Sequence, residues 1–234
     1  MNKEIIICGC VSRNFMETEK VARMATLLKQ KGFEVRVVPD LCEMAEDHKE
    51  ALKALEGTTV MACHERAVRA LLAWRGVQAA EVLNLRTQTV EEVAAQSGVT
   101  LEEVSVELLE ADCRELANFP TDQGHDAWFP IIDRERCVSC GKCHDFCLFG
   151  VYSLEEDGQV QVTDPHSCKN NCPACARTCP QEAVIFPKHE FAPINGGVQQ
   201  QEAAMKIDTK QLYNEALRER LAARRAGISL LKKK

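Results

Sequence analysis

The chain has 234 residues, of which 45% are hydrophobic and 27% charged, enough for one large soluble domain or two small ones. A formal net charge of −6 and an aromatic share of only 5% argue against binding to nucleic acid or an anionic membrane surface. The opening "MNKEIIICGCVSRNF" lacks the long apolar region and small-residue cleavage site of a signal peptide, and no apolar run is long enough to span a bilayer. The expected location is therefore the cytoplasm, without membrane insertion. Thirteen cysteines there read as metal ligands sooner than as disulfides, and the odd count agrees.

Residues 4–8, "EIIIC", form a short apolar run that predicts a buried strand. From Met16 to Lys31, apolar residues recur at helical spacing and Gly32 follows as a C-terminal cap. "FEVRVVP" predicts a second strand, "EDHKEALKALEG" a helix closed by Gly57, "TTVMAC" a third strand, and "ERAVRALLAWRG" a helix ending at Gly76. "AEVLNL" is a fourth strand; "TVEEVAAQSG" and "TLEEVSVELLEA" are helical segments, each opened by a Thr cap. This alternation implies a parallel sheet covered by helices. The expected organisation is an α/β domain over 1–112, a linker over 113–130 and an α+β dicluster domain over 131–190. A loop and a basic helical arm follow over 191–234.

Eight cysteines lie between 137 and 179. The first run, Cys137, Cys140, Cys143 and Cys147, has the spacing C-x2-C-x2-C-x3-C. The second run, Cys168, Cys172, Cys175 and Cys179, repeats it with one inserted residue. The offset between runs grows from 31 at the first cysteine to 32 at the last. The segments that follow, "CLFGVYSL" and "CPQEAVIF", repeat as well, so this is an internal duplication with two sites. Three closely spaced thiolates wrap three corners of a cubane, and a cysteine three residues on points away from that loop, toward the other cluster. The expected ligands are Cys137, Cys140, Cys143 and Cys179 for one [4Fe–4S] cluster, and Cys147, Cys168, Cys172 and Cys175 for the second.

Two other readings compete. Cys168, Cys172 and Cys175 also match the C-x3-C-x2-C triplet of radical-SAM enzymes, but the chain after Cys175 is too short for the barrel that chemistry needs. Zinc knuckles pair C-x2-C units, unlike these runs. Residues 131–190 resemble the two-[4Fe–4S] bacterial ferredoxins, with Leu148 in place of the usual proline after the fourth cysteine of the first run. Lys142, Lys169 and Arg177 lie inside the loops, where they either raise the cluster potentials or are solvated surface charges.

Five cysteines remain. Cys8 and Cys10 end the first strand, Cys42 follows the second and Cys63 ends the third, so four thiols are expected at the carboxyl edge of one sheet, where ligands bind. Gly9 is expected to turn the backbone and bring Cys8 and Cys10 to one side. A third metal site is the favoured reading; buried structural cysteines and a thiol/disulfide pair are the alternatives. Cys113 is read as a lone thiol, and His64 as a helix-start residue or an alternative ligand. "CGC", "VVPDLC", "VMACHERAVRALLAWRG" and "VLNLRTQ", in that order over residues 4–90, resemble the N-terminal domain of the flavin-bearing heterodisulfide reductase family of iron–sulfur electron carriers. That resemblance implies a third iron–sulfur site here. The sequence has no counterpart of that family's large flavin domain, and no G-x-G-x-x-G follows a strand.

From Lys206 onward nine Lys and Arg face three acids, with an apolar stripe at Leu212, Ala216, Leu217 and Leu221. This segment is expected to be a docking helix. No nucleophile–base pair, paired carboxylates or phosphate loop stands out. The whole reads as a non-catalytic electron-transfer subunit working with a larger redox enzyme or flavoprotein. A freely diffusing ferredoxin and a cluster-based sensor or scaffold are the rivals.

Overall fold

A computed structural model describes residues 4–47, 49–101, 103–119 and 126–199. The expected docking helix lies outside these residues. The chain divides into two units, Met1–Val198 and Gln199–Lys234.

The first unit opens with β1 (Glu4–Cys8), α1 (Thr18–Gln30), β2 (Glu34–Val38), α2 (Leu41–Asp47), α3 (Lys49–Leu52), β3 (Thr59–Ala62), α4 (Glu65–Trp74) and β4 (Glu81–Asn84). The strands form one parallel sheet in the order β2-β1-β3-β4. Ile5, Ile6 and Ile7 of β1 are all buried because helices cover both faces, which is why that strand is uniformly apolar rather than alternating. Val21, Met24, Ala25, Leu27 and Leu28 pack α1 against the core, and Ala67, Val68, Leu71 and Leu72 do the same for α4. The strand order reverses between β1 and β3, so the crevice beyond their carboxyl ends is the natural ligand site of such a sheet.

Two helical expectations need revision. The segment 46–57 is not one helix but the end of α2, then α3, then a 3-10 turn over Lys53–Leu55. After α5 (Val90–Gln96), capped by Thr89 in a capping box, the next helix starts at Val106, not at Thr100. Val104 packs on the core in non-helical backbone and delays the start. This helix, α6 (Val106–Ala117), runs through Cys113 and locks onto α1, where Thr26 Oγ1 donates to Asp112 Oδ2 at 2.6 Å.

The cysteine-rich half contributes β5 (Ile131–Ile132), α7 (Lys142–Phe146), β6 (Tyr152–Leu154), β7 (Val160–Val162), α8 (Ala174–Thr178) and β8 (Val184–Ile185). Each repeat is strand–helix–strand. The outer strands β5 and β8 pair antiparallel, as do the inner strands β6 and β7, so the two repeats interlock.

This half packs closely on the parallel sheet's helices within the same unit. Ala127, Trp128 and Phe129, in the stretch read as a linker, are buried, and Trp74 of α4 packs on Phe129 with ring centroids 5.3 Å apart while its indole N–H donates to Val162 O. Arg66 of α4 donates to Asp133 Oδ2 and to the carbonyls of Glu182 and Pro193. The loop after β8 crosses α4 so tightly that a Cβ at Gly196 (φ +86°) would sit 2.7 Å from Ala67 Cβ.

Candidate metal centres

Twelve of the thirteen cysteines line three separate cavities, four to each. Cys137, Cys140, Cys143 and Cys179 surround the first, a space of about 350 Å³. Cys147, Cys168, Cys172 and Cys175 surround the second, a wider recess of about 940 Å³. In each, three cysteines come from one run and the fourth from the other. Sulfur donors fit iron–sulfur clusters, and among the described residues no Asp, Glu or His lines the first cavity to compete with them.

The loops are built alike. Ser139 (φ 51°) and Asn171 (φ 60°) stand immediately before the second cysteine of their runs in the left-handed region, turning the backbone round the cavity. Their equivalence puts the inserted residue of the second run upstream of Asn171, at Lys169–Asn170. Gly141 (φ 75°) then starts α7 and places Cys143 inside. Burial pushes the Cys143 thiol up to about 11, and the Cys168 and Cys175 thiols up to about 12. A bound metal displaces such protons when it takes the thiolates.

Two sulfurs receive extra hydrogen bonds that sequence reasoning missed. Tyr152 Oη donates to Cys175 Sγ at 3.1 Å, and burial keeps that phenol protonated. Ala183 N donates to Cys179 Sγ at 3.3 Å. Lys142, Lys169 and Arg177 are all exposed to solvent, as is Leu148.

The third cavity, about 380 Å³, lies at the strand-order reversal of the parallel sheet and is lined by Cys8, Cys10, Cys42 and Cys63. Cys8 closes β1, Cys42 sits in the first turn of α2 and Cys63 directly follows β3. The turn differs from expectation. Cys10 itself takes the left-handed conformation (φ 51°), a strain worth about 1–2 kcal/mol in a non-glycine residue. Gly9 is needed for closeness instead: its N–H donates to Val38 O at 2.8 Å, and a Cβ there would meet Pro39 O at 3.2 Å. Burial raises the Cys8 and Cys42 thiols well above their usual range and takes Cys63 to about 11. His64 stays outside the cavity, its ring nitrogen 3.3 Å from Asn84 Nδ2, and burial lowers it to about 4. Cys113, on α6, joins none of the three groups.

The cavity also holds an ion pair absent from the sequence reading. Lys188, 2% exposed, reaches in from the loop after β8 and pairs with Asp40, 1% exposed. Burial alone would neutralise both, but each holds the other charged: Lys188 is raised and Asp40 lowered. The only sequence hint was Asp40 two residues before Cys42, where its Oδ1 caps α2 by accepting from Cys42 N.

Interlocked repeats that present eight cysteines as two crossed sets of four define an iron–sulfur electron carrier. No family model matches the chain. The chain is 48% identical over 66 residues to an uncharacterized ferredoxin of Methanocaldococcus jannaschii, covering 28% of this chain and 44% of that one. It is 39% identical over 58 residues to a second uncharacterized ferredoxin of that organism, covering 24% and 74%. Against the pyruvate synthase protein PorD of the same organism it is 36% identical over 61 residues, covering 26% and 69%. The chain thus spans less than half the length of the first relative, and about three quarters and two thirds of the others. It belongs to the ferredoxins, the iron–sulfur electron-transfer proteins. Among the described residues, no helix is long and apolar enough to cross a membrane.

Proposed function

We propose that this ferredoxin is a three-cluster electron-transfer subunit of a larger oxidoreductase. The observation that carries the reading is the partition of twelve cysteines into three cavities of four. Cys137, Cys140, Cys143 and Cys179 would hold one [4Fe–4S] cluster, and Cys147, Cys168, Cys172 and Cys175 a second. Cys8, Cys10, Cys42 and Cys63 would hold a third, whose cavity is nearly the size of the first. Such clusters, when bound, supply one-electron oxidation and reduction. The protein's own residues exclude water, fix the thiols at cavity corners and donate hydrogen bonds to sulfur.

Spacing argues against zinc. Four thiolates round one zinc ion lie within roughly 4 Å of one another. Among the described residues no three His, Cys, Asp or Glu side chains close on a point in that way. The thiols ring spaces instead, as the corners of a cubane require.

The likeness to PorD, named as a subunit of pyruvate synthase, supports work within a complex. The resemblance of the N-terminal domain to the flavin-bearing heterodisulfide reductase family supports a redox enzyme or flavoprotein as partner. The test is the iron and acid-labile sulfide content of anaerobically purified full chain. About twelve of each per chain is expected; zinc without sulfide would refute the reading.

A further inference from the structure

Lys188 comes from the cysteine-rich half but ends in the cavity of the α/β half. Its Nζ lies 3.7 Å from Cys10 Sγ, donates to Ser12 Oγ at 2.6 Å, and pairs with Asp40. The pair is not symmetrical toward the cavity. The oxygens of Asp40 are taken up by Cys42 N, the Ser12 hydroxyl and Lys188, so its charge is spent on the start of α2 and on the Cys10 loop. The ammonium is the end that touches sulfur. Arg86 adds a second cation to the same wall and is held there by the carbonyls of Pro187 and His189. Two cations and one acid thus face four thiols. Burying an ammonium costs several kcal/mol unless it is paired, and the chain places this one where only a cavity gains from it.

We propose that Lys188 sets the reduction potential of the cluster site formed by Cys8, Cys10, Cys42 and Cys63. This rests on reading those thiols as a cluster site. A site of four thiolates becomes more negative by one charge on reduction, so a fixed positive charge at contact distance in a dry cavity favours the reduced state and raises the potential. The electron comes through the clusters of the cysteine-rich half, and no bond to Lys188 forms or breaks. The lysine also makes the potential depend on docking: with the cysteine-rich half displaced, Lys188 and Pro187 leave the cavity wall together.

The experiment is an EPR-monitored redox titration of the anaerobically reconstituted full chain, with iron counted in each sample. The signal lost in the double variant Cys8→Ser/Cys63→Ser identifies the third site. Lys188→Met should keep about twelve irons and move that potential to lower values, leaving the other two in place. Lys188→Arg should restore it toward the parent. If Lys188→Met sheds the cluster, Lys188→Gln, which can still donate to Asp40 and Ser12, carries the test and should show the same fall. An unmoved potential at full iron content overturns the role of Lys188 and leaves the site standing. Loss of the third cluster from both variants also overturns it, in favour of a purely structural lysine. About eight irons in the parent chain removes the site itself, and the proposal with it.

Discussion

Arg13 and Asn170, 157 positions apart, meet side chain to side chain: Arg13 Nη2 donates to Asn170 Oδ1 at 2.8 Å. Both also bond to Asp126 Oδ2, Arg13 at 2.9 Å and Asn170 at 2.8 Å, which closes a triad. Arg13 follows the Cys10 loop of the third cavity, and Asn170 lies in the lengthened loop between Cys168 and Cys172. The residue inserted in the second cysteine run therefore has a physical use: it extends that loop to the Cys10 loop. Asn170→Ala should lower the stability of the folded unit by about 1 kcal/mol while leaving iron content unchanged. Anaerobic urea unfolding with iron analysis checks this, and loss of iron would mean that the residue shapes the cluster loop instead.

The crossing of the fourth cysteines makes a directional prediction. Cys179→Ala should impair the cluster of Cys137, Cys140 and Cys143, and Cys147→Ala that of Cys168, Cys172 and Cys175. Each single loss should leave a three-iron species or lower occupancy at the opposite run, read by EPR against the parent. Damage confined to the mutated run would contradict the pairing.

Tyr152 tests the role of a hydrogen bond to sulfur. Its hydroxyl donates to Cys175 Sγ at 3.1 Å. A donor to a thiolate stabilises the more negative, reduced state. Tyr152→Phe keeps the ring in place, so iron content should hold while the potential of the second-run cluster falls. A potential that stays put would show that the contact is packing alone.

Arg66 is the main polar tie between α4 and the cysteine-rich half. It pairs with the buried Asp133 at 3.3 Å and donates to the carbonyls of Glu182 and Pro193. Arg66→Ala leaves that carboxylate and two carbonyls short of a donor and should cost about 2–3 kcal/mol. Because it frees the loop over 187–197, limited proteolysis should cut there faster than in the parent. The third cavity loses Lys188 with that loop, so its potential should fall alongside.

Much of the architecture was legible along the chain. "EIIIC", "FEVRVVP", "TTVMAC" and "AEVLNL" each lie within about a residue of β1 to β4 because a strand buried on both faces must be continuously apolar. The repeated cysteine spacing was enough to pair the loops, since both repeat and insertion are local in sequence. The positions of Cys8, Cys42 and Cys63 at successive strand ends pointed to one edge for the same reason: a parallel sheet sets all its carboxyl ends on one side.

What the linear order did not contain was the company those thiols keep. Lys188 meets Asp40 across 148 positions and Arg66 reaches Asp133 across 67. In "FPKHE" a lysine reads as solvent-exposed, because nothing near it in sequence can neutralise a buried ammonium. Only the packing of one half on the other supplies the partner and removes the water. The chemistry of the sulfur ligands was thus written in their spacing, whereas the charge that surrounds them depends on desolvation, which is a property of the assembled interior and of no single segment.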